Sequence, residues 1–147
     1  PKAMIRILLS TRLGERRMTQ SDLARVTGIR SQTTGNSASH GWGTAGSNGA
    51  QVELTADSQT LNGKIIVDSI STLNMTLQNG SSFTGTINIL DNAEGGTAVE
   101  NNAVVIIGSG CTWTLTGDCT ITSLTNNGSI NFNGHTITLA DGIVLSK

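Results

Sequence analysis

Charge is scarce in this 147-residue chain: Asp, Glu, Lys and Arg make up 13% of it, about half the share of an average globular protein. Proline occurs once and the net charge is −1, which argues against disorder, because disordered chains combine polarity with proline and high net charge. Tyrosine is absent, and Trp42, Phe83, Trp113 and Phe132 are the only aromatic rings, so few faces exist on which a sugar would stack. With two cysteines, Cys111 and Cys119, and two histidines, His40 and His135, no metal-ligand motif is present and no cofactor is expected. Apolar runs are also short. None reaches the length of a membrane span, and MIRILLSTRLG at the start lacks the long apolar run of a secretion signal, so no membrane insertion is expected.

What the chain has instead is threonine, serine and asparagine, 49 positions in all, one third of its length. Its few charges are divided unevenly. Residues 1–30 carry Lys2, Arg6, Arg12, Arg16, Arg17, Arg25 and Arg30 against Glu15 and Asp22, a net of +5, whereas residues 31–147 carry Lys64 and Lys147 against eight acids, a net of −6. Two segments of different chemistry are joined. In residues 1–30 Ile5, Leu8, Leu9 and Leu13, then Leu23, Val26 and Ile29, recur at helical spacing, with Thr19 as a helix start, and predict a short helical segment. Residues 31–50 are rich in glycine and serine without apolar periodicity and read as a linker or cap. From residue 51 to 147 the period becomes two.

A small unit recurs in that last zone: Leu61-Asn62-Gly63, Phe83-Thr84-Gly85, Leu115-Thr116-Gly117 and Phe132-Asn133-Gly134. Its glycines stand 22, 32 and 17 residues apart. The long interval holds Asp91 to Glu100, a glycine-rich stretch of ten whose removal leaves 22, so the underlying period is about 20. Strand-like alternations surround the units: Ile65/Val67, Leu73/Met75/Leu77, Val105/Ile107, Trp113/Leu115, Cys119/Ile121, Ile130/Phe132 and Ile137/Leu139. The chain is therefore expected to be mainly β, a short right-handed β-solenoid of about four coils preceded by the helical segment. In such a stack each coil pairs its backbone with the next, about 4.8 Å away, and glycines and asparagines take the corners, where φ > 0 is needed. A β-sandwich is the competing architecture.

Parity assigns the side chains. Cys111 and Cys119 share inward parity with Trp113, Leu115 and Ile121, which favours buried thiols, with a disulfide as the alternative. Phe83, Trp113 and Phe132 fall inward and read as core. Thr112, Thr114, Thr116, Thr136 and Thr138 fall outward and predict threonine rows on one flat face, the kind of surface that ice-binding solenoids use, although threonine is also an ordinary outward strand residue. Among the acids, Asp68 and Asp118 both fall near corners and would approach each other if coils align; turn carboxylates more often accept backbone N–H bonds. His40 and His135 read as turn residues.

The segment SGCTWTLTGDCTITSLTNNGSINFNGHTITLADG (Ser109 to Gly142), together with GWGTAGSNGA and TADSQTLNGKIIVDSISTLNMTLQNGSSFTGTI upstream, resembles bacterial cell-surface β-helix repeats. The similar families are adhesin-like autotransporter passengers and the Thr/Asn-rich modules of secreted Firmicutes proteins described as carbohydrate-binding domain-containing. That resemblance implies a non-enzymatic module, extracellular or at the cell surface, for adhesion, glycan contact or surface assembly. Uncapped coil ends expose unpaired backbone groups, so a homo-oligomer or a filament by stacking of coil ends is expected if no other segment covers them. Trp42, as an exposed platform, with Asn126 and Asn127 are the candidate carbohydrate-binding residues. The alternative is a fragment of a β-helical polysaccharide-processing enzyme. Separately, MIRILLSTRLGERRMTQSDLARVTGIR resembles the opening of a Cro/repressor-type helix-turn-helix, with Met18 to Ala24 leading its first helix and Gly28 in its turn. DNA binding through residues 4–30 is the third reading. Gly35 ends the recognition helix within a turn, so a truncated or fused remnant, and no nucleic-acid partner, is the expectation.

Overall fold

Strict alternation of apolar and polar residues puts one set of side chains on each face of an extended chain, so every such run from Gln51 onward is able to bury one face. The computed structural model describes residues 49–93 and 95–147. It is mainly β, with eleven strands and no helix among the described residues: β1 (Gln51–Asp57), β2 (Thr60–Asp68), β3 (Thr72–Gln78), β4 (Ser82–Leu90), β5 (Ala103–Ile107), β6 (Thr112–Leu115), β7 (Cys119–Ile121), β8 (Ser123–Asn126), β9 (Ser129–Asn131), β10 (Ile137–Leu139) and β11 (Val144–Leu145). The helical segment expected over residues 1–30 and the linker up to residue 48, Trp42 and His40 included, lie outside the described residues.

Two curled sheets form. One has the order β1-β3-β5-β8; the other has the order β11-β10-β7-β4-β6-β9, with β2 also on β4. Every pairing is parallel except that of β10 with β11. Parallel neighbours cannot be joined by a hairpin. Here the chain leaves one sheet, runs through the other and returns beside itself, so that Gln51 lies beside Thr72, Thr60 beside Ser82, Val104 beside Ser123 and Thr112 beside Ser129. The long step falls between β4 and β5, where the described residues form no strand. The start of that loop is tied down by Asn92, whose N–H donates to Ser69 Oγ (3.0 Å) and whose Nδ2 donates to the buried Asp68 carboxylate (3.0 Å). Val99 N–H adds a bond to the Ser69 carbonyl (2.8 Å).

Inward side chains line up across strands. Leu54, Met75, Val105 and Leu124 form one row, and Leu61, Phe83, Trp113 and Ile130 another. Phe83 and Trp113 stack with ring centroids 5.8 Å apart. Trp113, Met75, Leu77, Ile107, Leu115 and Ile121 are fully buried, each contributing about 1.5–3 kcal/mol of hydrophobic stabilisation. Cys111 and Cys119 are buried too, as free thiols rather than a disulfide. Burial pushes the Cys119 thiol upward, a backbone hydrogen bond from Ile87 opposes this, and the neighbouring Asp118 charge adds to it.

The repeat unit needs a correction. Gly63 pairs with Gly85, but Gly85 pairs with Leu115 and not Gly117, and Phe83 pairs with Trp113. The third and fourth units are therefore two residues out of step with the first two. A shift of two preserves which face each side chain takes, so parity is blind to it. Gly63 and Gly85 also lie inside strands, with φ of 139° and 156°, and not at corners. Corners are formed by Asn79-Gly80, Gly110 and, in the fourth unit only, Asn133-Gly134, all at positive φ, and by the buried Ser81 hydroxyl, which accepts from Gln59 N–H (2.9 Å) and donates to the Gln78 carbonyl (2.7 Å). Phe132 follows β9 and is half-buried, because the last strands have no further layer over them among the described residues.

At the β1 corner Asp57 accepts from Asn79 Nδ2 (2.8 Å), Gln78 Nε2 (3.1 Å) and Ser58 Oγ (3.2 Å). The Asn79 bond, then that of Gln78, holds its carboxyl below the ordinary value of 3.8, against a small opposing effect of burial. A depressed folded-state pKa stabilises the fold above the unfolded value and ceases to do so as pH falls through the folded one. Urea unfolding at pH 6 and at pH 3 is expected to show this acid loss in the parent and a smaller one in Asp57→Asn.

Candidate functional site

The same alternation that buries Leu61, Phe83 and Trp113 turns their neighbours outward. Because β2, β4, β6 and β9 pair in register, those outward residues form two straight rows. Thr60, Ser82, Thr112 and Ser129 make the first; Asn62, Thr84, Thr114 and Asn131 make the second. All eight are exposed or half-buried. Neighbours stand about 4.8 Å apart along a row and about 6.6 Å between rows. Ser82 Oγ lies 3.4 Å from Thr60 Oγ1, and Asn131 Oδ1 accepts the N–H of Asn133 (3.1 Å). The eight residues carry hydroxyls and carboxamides and no ionisable group. This is a rigid, uncharged lattice of hydrogen-bond donors and acceptors.

The five threonines expected on one face are divided among several places. Thr112 and Thr114 belong to these rows. Thr116 is exposed in the bend after β6, and Thr138 continues a different row, Asn88, Thr120 and Thr138, on the other limb of β4. Thr136 precedes β10, and its N–H donates to Asp118 Oδ1 (3.0 Å). The division arises because β4 is long enough to pair with both β6 and β7, while the bend at Thr116 and Gly117 separates those two. Thr60, Ser82, Thr84, Ser129, Asn62 and Asn131 complete the rows without having been marked by sequence. Their signal was present as alternation, but their alignment required the register.

Asn126 and Asn127 lie elsewhere, at the turn from β8 to β9, both exposed. Asn126 Oδ1 accepts from Gly128 N–H (3.0 Å), and Asn127 N–H donates to the Ile107 carbonyl (2.8 Å). Gly128 is fixed there by space, since a Cβ would come within 2.4 Å of the Cys111 carbonyl oxygen.

The two acids whose approach sequence allowed are not brought together. Asp68 is buried and pairs with Leu90, its Oδ1 accepting from Ile70 N–H (3.2 Å). Asp118 lies two residues before Thr120, which pairs with Asn88, so the two carboxylates are offset by four residues, about 13 Å along the strands. That exceeds the separation used for glycoside hydrolysis. Asp118 is exposed, with His135 Nδ1 at 3.6 Å. No three His, Cys, Asp or Glu side chains gather to hold a metal ion among the described residues. Comparison with family models, with curated proteins and with solved structures gives no match to this chain.

Proposed function

We propose that residues 51–147 wind as a short right-handed β-solenoid of about four coils that works as a non-enzymatic module at the cell surface, touching glycan through its outward Ser/Thr/Asn rows. Parallel pairing of strands 17 to 22 residues apart, and 30 to 32 apart where the stretch Asp91 to Glu100 intervenes, supports the winding: Glu53 bonds Asn74 across 21 residues and Ala103 bonds Thr122 across 19. Parallel crossovers of this kind are right-handed almost without exception.

The observation that carries the glycan reading is the pair of uncharged rows, Thr60-Ser82-Thr112-Ser129 and Asn62-Thr84-Thr114-Asn131. Their side chains are short and stand on paired backbone, so little rotamer entropy is lost on contact. Each hydroxyl or amide contributes weakly. A ligand that repeats, such as a neutral polysaccharide, engages several at once and gains by multivalency. The face lacks aromatic rings, and tight binding of a single free sugar is not expected.

Retention on insoluble neutral polysaccharides, with a glycan array in parallel, tests this. The parent is expected to be retained, and the double variant Thr84→Val, Thr114→Val, which keeps shape and strand propensity while deleting two hydroxyls, to bind at least about tenfold more weakly, corresponding to about 1.4 kcal/mol. Equal binding by the double variant, with Trp42→Ala abolishing it, would move the site to Trp42. A parent that binds no glycan but shows thermal hysteresis would replace the glycan with ice.

A further inference from the structure

Among the described residues no strand pairs with the outer sides of the last strands of the two sheets. β8 pairs with β5 alone and β9 with β6 alone among the described residues, so each leaves one side of its backbone without a strand. Natural edge strands are blunted by lysine, proline, inward charges or bulges. From Cys119 through Gly134 there is no charged residue and no proline. Beneath these edges Leu124 and Ile130 are only partly buried, although their row-mates Val105 and Trp113 are fully so. The third stretch of this end is covered, since β11 turns back antiparallel on β10 and lays Leu145 beside Ile137.

The opposite end differs. There β1 and β2 carry Glu53, Asp57, Lys64 and Asp68, and the described chain enters there, with Thr72 N–H bonded to the Ala50 carbonyl (2.8 Å) and Gly49 packed on the Ile70 carbonyl. Head-to-tail growth would set a neutral edge against this charged one and offers no electrostatic complement. Two neutral edges related by a two-fold axis meet with no like-charge repulsion.

We infer that a second copy of this chain covers the C-terminal end, the β8 and β9 edges of one copy facing those of the other in a closed dimer. Such a contact is isologous, so it uses up both C-terminal ends and stops at two. It meets the two outward rows only at their β9 ends, Ser129 and Asn131, and it doubles the number of rows presented to a repeating ligand, independently of which ligand that is.

Light scattering over a wide concentration range tests it together with hydrogen exchange. The full chain, 15.2 kDa, is expected to reach twice that mass and stay there, with slow exchange at the amides of β8 and β9. The double variant Thr125→Lys, Asn131→Lys, at exposed positions, is expected to weaken the dimer at least tenfold, while Thr55→Lys on β1 leaves it unchanged. A monomer at every concentration overturns the inference, even with β8 amides protected, which would mean that another part of the same chain covers them. Mass that climbs without a plateau overturns it in favour of head-to-tail filaments. Should the lysine pair not fold, the parent's mass and exchange pattern still decide.

Discussion

Trp113→Ala is expected to cost about 3–5 kcal/mol from the lost core volume, a large part of the whole stability of a domain this size. Trp113 is 0% exposed, stacks on Phe83 and lies between Phe83 and Ile130 in its row. It also has a polar duty. The indole Nε1 donates to the Gly85 carbonyl at 3.1 Å in the buried interior, and a buried carbonyl without a donor costs about 1–3 kcal/mol. Trp113→Phe separates the two terms. It keeps an aromatic ring against Phe83 but removes the donor, and is expected to lose less than alanine does while still losing clearly. Urea unfolding midpoints of the three proteins measure this; a phenylalanine variant as stable as the parent would show that the hydrogen bond contributes nothing.

Gly85→Ala is the second large effect, expected at about 3 kcal/mol or more, or as failure to fold, from a single added methyl group. A Cβ at Gly85 would stand 1.7 Å from the Gly63 carbonyl oxygen and 3.0 Å from the Phe83 ring, and φ is 156°. The obstacle is backbone, which has no rotamer with which to yield. Gly80→Ala serves as the comparison. It too has positive φ, at 72°, but its Cβ would meet nothing within 4 Å, so only the backbone preference is lost, about 1 kcal/mol. Thermal melting of both variants is the measurement, and equal losses would remove the close approach as the reason for glycine at position 85.

These two positions show how sequence and tertiary structure divide the information. The unit Phe83-Thr84-Gly85 is visible as a repeat, and its phenylalanine is correctly placed inward. Its glycine is not a corner but a point where two strands approach too closely for a side chain, and nothing local distinguishes those uses of glycine. The strands legible from alternation were those rich in apolar residues, such as β3 and β5. β8 has one apolar residue, Leu124, in four, and its period-two signal is too thin to mark it. The same holds for β11, two residues long, which exists because β10 offers it an edge.

The uncharged rows follow from the scarcity of charge in the chain. That scarcity, the period-two alternation and the interval near 20 were determined by the sequence alone, because they depend only on which residue follows which. From them come the mainly β character, the inward cysteines and the outward Ser, Thr and Asn. Which outward residues share a row was decided only by tertiary structure. Pairing Phe83 with Trp113 rather than with Leu115 changes every neighbour across the strands while leaving each side chain on its own face. Backbone pairing over the whole length of β4, the Gly63–Gly85 approach and the indole bond to Gly85 settle that choice. All three link residues 20 or more positions apart, beyond the reach of any local pattern.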